Sequence, residues 1–566
     1  MKYFCILIFS TLAISSFAQS FINASPNAKH WADSVLAGLS RKEKITQLMV
    51  IRESELKNNV ATIYSDEIEK DIRRFKIGGI CLFQGNPTEQ ANFINTFQNI
   101  SKVPLMICID AETGLGMRMY DSVAKFPDQL TLGATNDTAL ICKIGTAIGV
   151  QCKREGINVN YAPVVDINNN PANPIINYRS FGEDKYEVAS LATQMMRGIQ
   201  SEGVMACAKH FPGHGDVTVD SHLDLPVINK SMQQLDSLEL YPFEKIFSAG
   251  IGSVMIAHLS IPAIDTTTHL PTSLSQKNVT GLLRNELGYK GISFTDALDM
   301  KGVVKYFPNG EAAAQSLIAG NDMLCLPLDI PECIKAIRKT IRENKLSWND
   351  IDAKVEKVLI AKYNLGLNNV VAINTNDLTK DLNISVNPLR TQVAAEAITL
   401  LRLKNPELLS MNKNKRIAFV GFGIDGENTF SALLKKNDSA DCFYFNYKKT
   451  PDDEKSLLNE IQKNNYDEII IGVHNFNKYP ANNFGISDAA FDMIHQLQQL
   501  NNTISFVFGN PYAIKNFCNA GNLVECYEDD AVFQSAAFDI LNGKPAKGML
   551  PVTVCTNFRF GDGIKN

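Results

Sequence analysis

Eight short apolar runs, separated by stretches of helical periodicity, constrain the fold of this chain more than any other feature. They are ITQLMVI (45–51), IGGICLF (77–83), PLMICID (104–110), VNYAPVVDI (159–167), VMACAKHF (204–211), SVMIAHLSI (253–261), GISFTDAL (291–298) and NDMLCLP (321–327). Near-continuous apolar runs suit parallel strands buried on both faces. Between two of them, Asp184-Lys-Tyr-Glu187 marks a helix start. Val188, Leu191, Ala192, Met195, Met196 and Ile199 then follow at helical spacing, and Gly203 closes the segment. Strands and helices alternating in this way predict the α/β class, with an N-terminal (β/α)8 TIM-like barrel. An open doubly wound sheet has the same periodicity and stays the alternative.

A second α/β set follows: RIAFVGFG (416–423), DCFYFNY (441–447), DEIIIGVH (467–474), TISFVFG (503–509) and NLVECYED (522–529). The expected organisation is a signal peptide over 1–18, the barrel over 19–370, a connecting segment over 371–415 and a C-terminal α/β sandwich-type domain over 416–566. With 55 Lys plus Arg against 60 Asp plus Glu, the net charge is −5. That balance gives no general attraction to nucleic acid or anionic lipid.

Residues 1–18 start with Met1-Lys2, run apolar from Tyr3 to Ile14 and end Ser16-Phe17-Ala18, the pattern of a cleaved export signal. The run is too short to span a bilayer, and no other window is apolar enough. The expected protein is exported, periplasmic or secreted, with no stable membrane insertion. Of twelve cysteines, eleven follow Cys5, an odd number without a C-x-x-C pair. Cys81, Cys108, Cys207 and Cys325 sit in strand-like runs, where a thiol behaves as a small buried hydrophobe. A disulfide framework is not indicated, and an isolated bridge stays open.

Polar residues concentrate where such strands end. Lys209-His210-Phe-Pro-Gly-His214-Gly-Asp216 follows VMACA, and Asp220-Ser-His222 comes shortly after. Barrels and doubly wound sheets display catalytic loops at that edge. Asp110, Asp166 and Asp296 each end an apolar run, with Arg118 and Arg179 as fixed donors nearby in sequence. Asp296 alone could simply cap a following helix; three such ends beside the Lys-His segment point to one polar mouth. His210 and His214 have i, i+4 spacing, with Asp216, Asp220 and His222 as further possible ligands. Phe-Pro-Gly, however, forbids the helix that metalloprotease spacing needs, and no Glu follows the first His; a metal site stays a lesser alternative. Gly421-Phe-Gly-Ile-Asp-Gly426 mimics a dinucleotide-binding turn, but the next strand ends in Asn446, Tyr447 and two lysines, without the acid that would hold a ribose.

Taken together, these motifs resemble glycoside hydrolase family 3, in its β-N-acetylglucosaminidase branch. The resemblance is carried by Lys209-His210-Phe-Pro-Gly-His214-Gly-Asp216 with Asp220-Ser-His222, by Asp110-Ala-Glu112-Thr-Gly114 running on to Arg118, by Arg179-Ser-Phe-Gly-Glu-Asp184 and by Phe294-Thr-Asp296. The second unit resembles that family's C-terminal domain in general pattern, and Pro551-Val-Thr-Val554 fits it. The resemblance implies Asp296 as nucleophile, His222 as general acid and base, and Asp220 as the group orienting it. It implies that Asp110, Arg118, Arg179, Lys209 and His210 hold the non-reducing sugar, and that no metal or organic cofactor takes part. Asp166 reads as structural. The expected activity is a retaining exo-β-N-acetylglucosaminidase acting on peptidoglycan-derived fragments or chito-oligosaccharides. A histidine that has given up its proton is neutral, so phosphate could replace water as acceptor, and a phosphorylase is the alternative. A non-catalytic amino-sugar-binding barrel is the rival outside enzymes. Nothing in the sequence fixes an oligomeric state.

Overall fold

The computed structural model describes residues 21–57, 60–219, 224–409 and 415–565. The expected signal peptide lies outside the described residues. Among them, no helix is long and apolar enough to cross a membrane.

Each of the eight apolar runs contains a strand. They are β1 (Met49–Arg52), β2 (Gly79–Leu82), β3 (Met106–Ile109), β4 (Val159–Asn160), β5 (Met205–Phe211), β6 (Ser253–Ile256), β7 (Ile292–Thr295) and β8 (Leu324–Cys325). The order is β8-β1-β2-β3-β4-β5-β6-β7, all parallel. A parallel bridge from Phe294 to Met323 joins β7 back to β8. Leu298 N donates to Cys325 O at 2.9 Å across the same seam. The sheet is therefore a ring rather than an open ribbon. Tyr161 and Phe294 fill its interior edge to face, 5.2 Å apart, and Cys81, Cys108, Cys207 and Cys325 are buried free thiols, as their apolar settings predict.

The helices form where the pattern places them. Asp184 caps Lys185–Ser201 by accepting from the N–H groups of Tyr186 and Glu187, and the anticipated apolar face is buried. Against it packs Thr138–Arg154. Their backbones meet at glycines: a Cβ on Gly145 would lie 2.3 Å from Met195 O, and one on Gly198 would lie 2.2 Å from Cys142 O.

The second sheet holds β9 (Thr399–Leu403), β10 (Ile417–Phe422), β11 (Asp441–Phe445), β12 (Glu468–Val473), β13 (Thr503–Val507) and β14 (Asn522–Glu525). Its order is β9-β14-β13-β12-β10-β11, parallel except for β9 against β14. The segment 371–415 is thus more than a connection. Helix Val386–Ala397 runs directly into β9, so this segment supplies a strand to the second sheet. Gly423 explains the dinucleotide-like turn: its φ is +81° and a Cβ there would lie 2.1 Å from His474 O, so close packing requires glycine. Among the described residues one isolated disulfide, Cys518–Cys555, ties this domain to the C-terminal segment.

Candidate active site

Barrel closure turns the carboxyl ends of the strands toward a common centre. A cavity of about 370 Å³ opens there. Asp110 follows β3, Asp296 follows β7, and Lys209 and His210 belong to the last residues of β5 itself rather than to a loop. Arg118 and Arg179 arrive on short turns beyond β3 and β4. The structure brings Asp110, Arg118, Arg179, Lys209, His210 and Asp296 together on this one cavity. Asp220 and His222 lie outside the described residues.

The polar groups interlock. Lys209 is buried, with Nζ 2.7 Å from both Asp110 Oδ1 and Glu112 Oε1. Arg118 Nη2 meets Asp110 Oδ2 at 3.1 Å. Arg179 forks onto Glu112, Nε to Oε2 at 3.0 Å and Nη2 to Oε1 at 2.7 Å, a planar match that a lysine cannot make. Burial pushes the carboxyls of Asp110 and Glu112 upward. The cations outweigh it, Lys209 and Arg118 at Asp110 and Arg179 and Lys209 at Glu112, holding both below the ordinary carboxylate range. Burial also works against the charge on Lys209, and the two carboxylates reverse it, leaving its pKa raised. The cluster is therefore fully ionised near neutrality and presents donors in fixed positions.

Asp166 does what a structural reading requires. It is buried, accepts the backbone N–H of His210 at 3.1 Å and of His214 at 2.7 Å, and lies 2.7 Å from His210 Nδ1. His210 Nε2 is left 3.5 Å from Arg179 Nη2, on the cavity. Burial, with the neighbouring His210, lowers His214 to about 4, so its ring is neutral at neutral pH.

Asp296 caps no helix. The next one starts at Lys301 with Met300 before it. Its own N–H donates to Ile256 O at 2.9 Å, and its Oδ1 accepts from Ala297 N at 2.8 Å. Beneath it, buried His258 lies 2.6 Å from Ser273 Oγ and 3.0 Å from Ala297 O, which pins the turn.

Sequence reasoning assigned no role to Glu112, Arg52, Asp299 or Phe83. Glu112, present there only inside the Asp110-Ala-Glu112-Thr-Gly114 motif, joins two cations, Lys209 and Arg179, yet stands in a loop without periodicity. Arg52 ends β1 and pairs with Asp299 at 2.7 Å. Arg52 and Arg118 both lie over the ring of Phe83, at 4.2 and 4.9 Å from its centroid, forming the cavity's other wall.

Comparison with known proteins places this geometry in context. Beta-hexosaminidase A of Pseudoalteromonas piscicida is 32% identical over 388 residues, 63% of this chain and 64% of that protein. A beta-N-acetylglucosaminidase/beta-glucosidase of Cellulomonas fimi is 28% identical over 398 residues, 68% of each chain. The chain thus spans just under two thirds of the first relative. The solved structure of a glycoside hydrolase family 3 beta-N-acetylglucosaminidase from Paenibacillus sp. str. FPU-7 matches with TM-score 0.75 at 28% identity, over 91% of this chain and 99% of that one. The profile of the glycosyl hydrolase family 3 N-terminal domain matches residues 40–361, a span that runs from before β1 to beyond β8 and takes in more than half of the chain. The protein belongs to glycosyl hydrolase family 3.

Proposed function

We propose that the protein is a retaining exo-β-N-acetylglucosaminidase that removes terminal N-acetylglucosamine from the non-reducing end of its substrates. One observation carries the reading: Asp296 opens onto the same small cavity as Asp110, Arg118, Arg179, Lys209 and His210. Its volume is at the low end of the roughly 300–1,000 Å³ usual for small-molecule sites, which favours one sugar unit over an extended chain. The names of the relatives from Pseudoalteromonas and Cellulomonas support the same substrate class.

In this reading the cation–carboxylate cluster grips the hydroxyls and acetamido group, and the Asp296 carboxylate attacks the anomeric carbon. The glycosidic C–O bond breaks as His222, oriented by Asp220, gives its proton to the departing oxygen. Water then attacks the same carbon from the vacated face, His222 takes up its proton, and Asp296 is released with the β configuration retained. An imidazole suits both duties near neutral pH. The export pattern of residues 1–18 supports action outside the cytoplasm, with peptidoglycan fragments as substrate and chitin fragments second.

Asp296→Ala is expected to lower the release of p-nitrophenol from its β-N-acetylglucosaminide on the order of 10³-fold or more. Near-wild-type turnover would sink the assignment. Running the same assay with and without phosphate separates hydrolysis from phosphorolysis, since only the latter makes sugar 1-phosphate.

A further inference from the structure

The loop that delivers Arg179 to the cavity is gripped along its length by the second domain. It runs from β4 to the cap of helix Lys185–Ser201. Near its start, Asn168 Nδ2 donates to Tyr512 Oη at 3.0 Å. Near its end, Glu183 accepts from Thr553 N at 2.8 Å and from Thr553 Oγ1 at 2.6 Å. Beside it, a Cβ on Gly182 would lie 2.5 Å from Pro551 O. The closest hold is on the residues just before Arg179. Asn177 is buried with φ +38°, a conformation seldom adopted outside glycine, and its Oδ1 accepts from Asn510 Nδ2. Tyr178 packs against Tyr479 with ring centroids 5.2 Å apart and hydroxyls 3.3 Å apart. Lys478 Nζ sits 4.4 Å from the Tyr178 centroid and reaches on to Asp128 of the barrel at 2.6 Å.

Arg179 works through a planar fork, and such groups lose their function when displaced by about 1 Å. On the barrel side, Arg179 is tied to Glu112 and to its own loop through Ile175 O. The turn that aims it is held from both sides. Within the barrel Asn173 Oδ1 accepts from Ile175 N and Ile176 N, Asn177 Nδ2 donates to Pro171 O and Ser180 Oγ donates to Asp166 O. The second domain adds Asn510 and Tyr479 at its tip.

We propose that the second domain is a positioning element for sugar binding, with Tyr479 and Asn510 as residues that hold the Asn177–Tyr178 turn and thereby aim Arg179. The proposal rests on the reading of Arg179 as a sugar-gripping residue. It gives the second domain a share in substrate affinity without placing any of its atoms on the substrate.

The test is steady-state kinetics of the full chain on p-nitrophenyl β-N-acetylglucosaminide. Tyr479→Ala is expected to raise KM about tenfold while kcat stays within about threefold, and Tyr479→Phe, which keeps the ring, to recover most of the loss. A role in stability alone would lower the melting temperature and leave KM in place. The decisive arm is a double-variant cycle. Arg179→Lys should raise KM by itself, and adding Tyr479→Ala to it should change KM by less than about twofold, because the group being aimed is gone. An unchanged KM in folded Tyr479→Ala overturns the proposal, as does a full tenfold effect in the Arg179→Lys background. If Arg179→Lys leaves KM unchanged, the reading of the site itself fails. Should Tyr479→Ala not fold, Asn510→Ala carries the same expectation, and its unchanged KM is equally fatal.

Discussion

Glu112 lies two residues beyond Asp110, just past the end of β3, and Glu525 is the last residue of β14 in the second sheet. Both are buried at the carboxyl edge of parallel strands. At Glu112, burial is outweighed by Arg179 and Lys209, and the carboxyl is held below its usual range. At Glu525, burial meets only hydrogen bonds from the N–H groups of Tyr527 and Cys526, and the carboxyl is pushed well above it. No ion pair joins Glu525 among the described residues, and its Oε2 has no hydrogen-bond partner. What separates the two is whether cations reach the carboxylate. Glu53, just past β1 in the same barrel, is buried without a paired cation among the described residues and pushed up to about 8. Asp529, beyond β14 in the second sheet, is held below its usual range by His474 despite burial. Closure of the ring helps by bringing charges from several strands onto one shared cavity. A strand-end carboxylate therefore reads as part of a site when cations from other strands reach it.

The harshest way to break this contrast is to remove the cation that bridges both acids. Lys209→Met keeps the volume but leaves Asp110 and Glu112 without their shared partner. Activity should fall by about 10³-fold or more, with a stability loss of about 3–5 kcal/mol, the usual cost of orphaning a buried charge. If denaturant unfolding and turnover both stay near wild type, the cluster is not the compensated unit described. Glu112→Gln is milder. It keeps the shape and removes the charge that orients Arg179, for an expected loss of about 10–100-fold in kcat/KM. A loss under twofold would mean that the fork does not matter to binding.

The barrel and most of its mouth were legible in the sequence because both depend on local patterns. Unbroken apolar runs such as PLMICID must be buried on both faces, and the residue that ends each run is carried to one rim by the topology alone. That is why Asp110 and Asp296 could be paired with Lys209 although 99 residues separate Asp110 from Lys209. Three things escaped. β9 was hidden because it follows a helix without a break in apolar content. Glu112 carried no periodicity to mark it. The grip on Arg179 joins Tyr178 to Tyr479 and Asn177 to Asn510, 301 and 333 residues apart, and no spacing rule links positions on two separately folded sheets. Asp220 and His222, the other half of the expected chemistry, rest on sequence alone.

The smallest effect sharpens the comparison most, because it isolates charge from shape. Burial raises the folded-state pKa of Glu525 above the ordinary carboxylate value of 4.5. The folded chain therefore holds this proton more tightly than the unfolded chain. The stabilisation is fully present below about pH 4.5 and drains away as pH rises toward the folded-state pKa. The barrel has its own case in Glu155, where burial outweighs the neighbouring Arg154 and pushes the carboxyl up to about 9; what decides the direction is whether nearby cations outweigh burial, not the domain. Glu525→Gln keeps an oxygen for the Tyr527 N–H and cannot ionise. Its melting temperature should match wild type within about a degree at pH 5 and exceed it by about 2–4 °C at pH 8.5. Glu112→Gln should show no such alkaline gain, since Glu112 is stabilising when charged and loses its contribution only as pH falls below the ordinary range. Parallel melting curves for wild type and Glu525→Gln between pH 5 and 8.5 would mean that Glu525 is compensated after all, and the distinction between the two strand ends would collapse.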